Sequence, residues 1–174
     1  MATNLESLLA ASGGMPSFAL LDGASIANLY SRLEASDARF LSLLNGRSAE
    51  AYLRVSPFIA EIQTSSPRLE KLVNDAISLG GLIWLCSDQP IEKMRSRLFK
   101  FYYWRKGKNH AYARIADAMY FSSFMKIANE DQLRMLGAVA QRVVIPRDAE
   151  FETMNYSHET GRFHSNQHAY GEVP

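Results

Sequence analysis

A cysteine, a set of histidines and three aspartates are the residues of this chain whose chemistry has to be weighed first. Nucleophilic hydrolysis needs Ser or Cys beside a base that a third group orients. The sequence has no G-x-S-x-G elbow, and its single cysteine, Cys86, ends the most apolar run of the chain, Leu82-Ile83-Trp84-Leu85-Cys86. A thiol in such a run behaves as a small hydrophobe, not as a nucleophile. His158, His164 and His168 fall near the C-terminus, and on a helix His164 and His168 would share one side and could start a metal site. No helix is expected there, and no Cys or well-placed carboxylate completes a tetrahedral set. We read these histidines as solvated polar residues and expect neither metal nor cofactor.

Asp22, Asp88 and Asp117 each stand between an apolar run and a helical pattern. That edge of an α/β fold often holds catalytic carboxylates. Asp is equally a preferred helix cap, and capping is the role expected of all three. Gly13-Gly14 and Gly80-Gly81 match neither the dinucleotide fingerprint nor the P-loop. An unrecognised hydrolase stays open, but no reactive cluster supports one, and the expectation is a protein that is not an enzyme.

The densest segment is Phe99-Lys100-Phe101-Tyr102-Tyr103-Trp104-Arg105-Lys106, where aromatics alternate with cations. Aromatic platforms in a basic groove bind single-stranded nucleic acid. With Gly107-Lys108 as a two-residue turn, Trp104 faces Ala111 and Tyr102 faces Ala113, large opposite small, as on a packed core face. The opposite face then carries Phe99, Phe101, Tyr103, His110, Tyr112, Arg105 and Arg114, the aromatic and arginine mixture of protein interface hot spots. A second core layer, a protein interface and a nucleic-acid surface are the three readings. Phe101, Tyr103, Tyr112 and Arg114 are the candidate partner-binding residues.

These segments need elements to position them. The chain has 174 residues, 47% of them hydrophobic and 21% charged, which suits one globular domain with a real core. A formal net charge of +1 gives no general pull toward nucleic acid or an anionic membrane. The charge is nevertheless uneven: from Lys93 to Arg114 there are eight Lys/Arg and no acid, and from Arg147 to Pro174 five acids and two arginines. One cysteine permits no internal disulfide, the N-terminal stretch lacks a basic region like that of a signal peptide, and no apolar run approaches membrane-spanning length. We therefore expect a cytoplasmic protein with no membrane partner.

Strands are expected at Phe18-Ala19-Leu20-Leu21, at residues 40–44 before the Asn45-Gly46 turn, at 58–62, at 82–86, on either side of Gly107, and at Arg142-Val143-Val144-Ile145. Helices are expected over 24–35, in a short piece at 48–53, from the Ser66-Pro67 start to Gly80-Gly81, after Asp88 and Pro90, from Asp117, and from the Asn129/Gln132 capping box. The pattern predicts a single-domain α/β sandwich: a mixed sheet of about six strands, including one antiparallel hairpin, flanked by helices. Residues 1–16 form an N-terminal segment, 17–146 the folded domain, and 147–174, polar and without apolar periodicity, a flexible tail.

The order of these segments carries a resemblance. Phe18-Ala19-Leu20-Leu21-Asp22-Gly23, Arg39-Phe40 through Gly46, Val55-Ser56-Pro57-Phe58-Ile59, residues 80–88, Ala113-Arg114-Ile115 with Asp117, Asn129-Glu130-Asp131-Gln132-Leu133 and Val143-Val144-Ile145-Pro146 together resemble the type VI secretion effector adaptor family, the Tap or TEC chaperones. Where the family has a more aromatic Arg-Phe-Tyr-Asp strand, this chain has Arg114-Ile115-Ala116-Asp117, and its C-terminal extension is short. The resemblance implies a cytoplasmic adaptor, encoded near a VgrG spike protein and a toxin. It would bind the N-terminal region of that effector and promote its loading onto VgrG, with no cofactor, no catalysis and no nucleic acid.

Overall fold

Strands apolar at every position must bury both faces, and two runs of this kind form the middle of the sheet. In a computed structural model, which describes residues 4–44, 53–63, 66–106 and 109–170, β1 (Ser17–Leu21) and β4 (Leu82–Cys86) are buried throughout and lie side by side. For residues 104–106 and 109–111 only the backbone is described. With β2 (Arg39–Ser42), β3 (Phe58–Ile62), β7 (Arg142–Pro146), β8 (Glu150–Ser157) and β9 (Arg162–Ala169) they form an open seven-stranded sheet in the order β2-β3-β1-β4-β7-β8-β9.

Successive side chains of a strand point to opposite faces, and each face has its own core. On one face Ala19, Leu21, Phe58, Leu82 and Trp84 meet α1 (Asn4–Ala11), α2 (Leu29–Glu34) and α3 (Pro67–Ser78) through Leu5, Leu8, Leu33, Leu72 and Val73. On the other, Phe18, Leu20, Ile83, Leu85, Val143 and Ile145 meet α4 (Ile91–Tyr102), α5 (Ala118–Ile127) and α6 (Glu130–Gly137) through Met94, Leu98, Phe121 and Leu136. The α/β class with helices on both faces is the architecture expected. Among the described residues no helix is long and apolar enough to cross a membrane.

The sheet is not mixed: every pair of neighbours is antiparallel. Alternating strand and helix suggested parallel neighbours, but the β3-α3-β4 connection steps over β1. The two strands it joins share a direction without touching. The hairpin β5 (Tyr103–Lys106) and β6 (Asn109–Tyr112) is a separate two-stranded ribbon outside the main sheet.

Three of the helix starts foreseen in the sequence are capped as expected. The Ser66 side chain accepts from the Leu69 amide at 3.2 Å, Asp117 from the Tyr120 amide at 2.8 Å, and Asn129 and Gln132 close a reciprocal box at 2.9 Å each. Asp88 is not a cap. The position before α4 is held by Pro90, while Asp88 is exposed and accepts from Gln141 at 3.2 Å. Helix α2 begins only at Leu29, because Asn28 adopts a left-handed φ of 55°. The short helix expected at 48–53 falls almost wholly outside the described residues.

Both ends of the chain depart from the predicted segmentation. The N-terminal segment is part of the core: Leu5 and Leu8 are fully buried, and Ser12 just after α1 accepts from Trp84 Nε1 at 2.9 Å and lies 2.6 Å from the Ser17 hydroxyl. Beside it Cys86 is buried, and desolvation pushes its thiol up and keeps it protonated. The expected tail is instead the long hairpin β8–β9, two further strands of the main sheet. Phe151 and Met154 of β8 enter opposite cores, and the Tyr156 ring lies where a Cβ on Gly137 would come within 2.5 Å of it.

Candidate functional site

Helix α4 runs about one turn further into the aromatic segment than a strand beginning at Phe99 allows, ending at Tyr102. Its apolar stripe carries on through Phe101, so tertiary packing overrides the strand preference of a run of aromatic residues. From Tyr103 the chain turns into the ribbon with the register expected of a Gly107-Lys108 turn: Tyr103 opposite Tyr112, Trp104 opposite Ala111, Arg105 opposite His110. The Ala113 amide donates to the Tyr102 carbonyl at 2.8 Å and extends the pairing one step.

This geometry divides the four candidate partner-binding residues. Phe101 is only 6% exposed and makes an edge contact with Phe124 in the core, so it is withdrawn from the surface. Tyr103 stacks on Phe99 with ring centroids 5.3 Å apart and planes at 13°. Tyr112, 56% exposed, leans over both Tyr103 at 5.5 Å and Tyr102 at 5.2 Å. Three tyrosines and a phenylalanine thus form one continuous aromatic ledge. Tyr102, which the register had assigned to the core side, belongs to it, and burial beside Tyr112 and Asp22 pushes its phenol up to about 12.

Arg114 anchors the ledge to the sheet. Its Nη2 donates to Asp22 Oδ2 at 2.7 Å and to Ser25 Oγ at 2.9 Å, and lies 3.2 Å from Asp117 Oδ2. Asp22, at the end of β1, is buried with its side chain 7% exposed. It also accepts from the Ala24 amide at 3.0 Å and the Ser25 hydroxyl at 2.7 Å. Asp22 is thus not the helix cap expected, since α2 begins only at Leu29; its carboxylate closes a turn and fixes a guanidinium 92 positions away in sequence. Asp22 chiefly, and Asp117 beside it, hold the Arg114 guanidinium charged. Next to the pair is a cleft of about 220 Å³ walled by Val55, Pro57, Tyr102, Tyr112 and Ile115. Gly23 makes this junction: a Cβ there would sit 2.2 Å from the Ser56 carbonyl oxygen.

The ledge, the ion pair and the cleft offer large rings, an oriented cation and an apolar recess, which suits recognition of another chain. Asp22 was legible as a residue at a strand end, but its partner Arg114 is 92 positions away and no local spacing connects them. The C-terminal histidines stay apart from this site. His164 and His168 lie on strand β9, where four residues span roughly 13 Å rather than one helical turn. His168 stacks on Phe151 at 5.3 Å and bonds Thr153 at 3.0 Å, while His164 is 3.3 Å from Thr160. Among the described residues no group of three His, Cys, Asp or Glu is placed to hold a metal ion.

Fold and site together define an α/β domain with an antiparallel sheet between two helical layers and an aromatic ribbon pinned by a buried carboxylate at the end of the central strand β1. A family model described as a domain of unknown function, DUF4123, matches residues 17–135, from β1 into α6, and the chain belongs to that family. Neither the curated proteins nor the solved structures give a match.

Proposed function

We propose that this protein is a cytoplasmic adaptor of a type VI secretion system. It binds the N-terminal region of a toxic effector and promotes its loading onto the VgrG spike, without catalysis. The observation that carries this is membership of the DUF4123 family over residues 17–135, read with the ordered motifs from Phe18 to Pro146 that resemble the effector adaptors. The ledge of Tyr103 and Tyr112 beside Arg114 supports it, because a carrier of an aggregation-prone segment needs exposed rings with hydrogen-bonding reach. In this reading Arg114 fixes the ledge, and the two tyrosines make the contact.

Co-expression tests the proposal. The tagged protein should retain the toxin and the VgrG encoded beside its own gene through size-exclusion chromatography, and its deletion should abolish export of that toxin while leaving a second effector unaffected. Export unchanged by the deletion contradicts it.

A further inference from the structure

Helix α5 is apolar on two opposite sides. Inward, Phe121 is buried, and Phe124 and Met125 pack against the core shared with α4 and α6. Outward stand Met119 and Ile127, 79% and 83% exposed and the most exposed large apolar side chains among the described residues, with Tyr120 on the same side. A surface helix ordinarily turns a polar face to water, and one that is apolar all round is covered on every side. The ten residues of α5 hold a single charge, Lys126, and no acid.

The outward stripe is symmetric about its middle residue, Ser123. At 3.6 residues per turn, Met119 and Ile127 lie four positions on either side of it, each turned by about 40° and in opposite senses. Tyr120 and Lys126 lie three positions on either side, each turned by about 60° and again in opposite senses. Ser123 is exposed and small, and its hydroxyl donates back to the Met119 carbonyl at 2.9 Å. Nothing bulky or charged therefore stands at the centre of the stripe.

A two-fold axis at Ser123 matches this stripe to itself. Two antiparallel α5 helices crossing at their serines place Met119 beside Ile127 of the second copy and lay the Tyr120 ring over that isoleucine, while the aliphatic stem of the second copy's Lys126 runs along Met119. The two lysines stay on the solvent rim, about 9 Å apart along the helix axis, where salt screens them. A helix of another protein would be selected by charges along the stripe, and α5 supplies one. We propose that the outer face of α5 is a self-association surface, on which a second copy of this chain packs its own α5 antiparallel across Ser123. The stripe is only about 12 Å long from Met119 to Ile127 and buries less than the roughly 800 Å² per partner of a standard interface. The dimer is therefore weak and forms as concentration rises.

Sedimentation velocity on the full chain should show a monomer at about 1 µM and a reversible dimer with a dissociation constant of about 10–100 µM. Met119→Glu and Ile127→Glu place a carboxylate in water in the monomer, so each should keep the melting temperature and weaken the dimer by at least about tenfold. Tyr112→Ala should dimerise as the wild type does, which separates this surface from the aromatic ledge. Oxidation with copper phenanthroline reads the register, the native Cys86 being buried. Facing Cα atoms of two close helices come within disulfide reach, so Ser123→Cys should cross-link to itself, and Met119→Cys to Ile127→Cys when the two chains are mixed. Met119→Cys alone should not, because its two copies stand about 12 Å apart along the axis. A monomer up to about 1 mM overturns the proposal, as does a dimer that either glutamate substitution leaves intact, or Met119→Cys cross-linking as fast as Ser123→Cys. A chain monomeric throughout that loses its co-expressed toxin on Ile127→Glu overturns it in favour of the effector as the occupant.

Discussion

Replacing Arg114 by alanine isolates what the ion pair contributes. The substitution removes Nη2 from Asp22, Ser25 and Asp117 at 2.7, 2.9 and 3.2 Å and leaves the Asp22 carboxylate buried with two of its donors, the Ala24 amide and the Ser25 hydroxyl. Breaking a fully buried pair costs about 3–5 kcal/mol. Here the guanidinium side chain is 55% exposed, so solvent screens the pair. With Asp22 still partly satisfied, the expected loss is about 1–2 kcal/mol. For a domain of this size that lowers the melting temperature by roughly 3–7 °C. Urea denaturation of the wild type, Arg114→Ala, Asp22→Ala and the double variant closes a cycle whose coupling term should be about 1 kcal/mol. Hydrogen exchange on Arg114→Ala should open the ribbon amides before those of β1 and β4. A melting temperature within about 1 °C of the wild type, or a coupling of zero, refutes the claim that this pair pins the ribbon.

Three further outcomes follow from the packing. Gly137→Ala forces a methyl against the Tyr156 ring, 2.5 Å from the ideal Cβ position, and should cost about 1–3 kcal/mol by urea denaturation. Truncation after Pro146 removes the strand that pairs with β7 and the buried rings and thioether of Phe151 and Met154, and should yield an insoluble or unfolded chain; a soluble product with an unchanged melt contradicts the sheet order. Tyr102 has a phenol raised from 10 to about 12 in the folded state, so above pH 10 the unfolded chain releases its proton first. The stability this residue contributes is complete below pH 10 and is lost as pH rises toward about 12. Tyr102→Phe should flatten that decline in denaturation midpoints measured from pH 9 to 12.

What was legible in the sequence is what short-range rules govern. Runs apolar at every position, such as Leu82 to Cys86, have no other fate than a doubly covered strand. Capping residues act within three positions of the amides they satisfy, so Ser66, Asp117 and the Asn129/Gln132 box could be placed from spacing alone. The ribbon register followed from the length of its turn. Strand order escaped, because nothing local tells that the β3-α3-β4 connection steps over β1. The β8–β9 hairpin escaped for a different reason. An edge strand with mostly exposed side chains has the composition of a loop, and Phe151 and Met154 serve opposite faces and so show no simple alternation. At the site, Tyr103, Tyr112 and Arg114 could be named from their types, but Phe101 was lost to the core when α4 continued through it. The Asp22–Arg114 contact joins the end of β1 to the exit of β6, a tertiary fact without a local signature.

The central claim is that the ledge of Tyr103 and Tyr112 receives a secreted toxin. Its most direct test is the dissociation constant between the purified protein and the N-terminal region of the toxin encoded beside its gene, measured by calorimetry for the wild type, Tyr103→Ala and Tyr112→Ala. Tyr112 is 56% exposed and touches the ledge only through the rings of Tyr102 and Tyr103, so its removal should leave the melting temperature nearly unchanged. The account predicts wild-type binding and a loss of at least tenfold on removing Tyr112, about 1.4 kcal/mol. Wild-type binding that neither tyrosine substitution weakens, or no binding by the wild type, would contradict it.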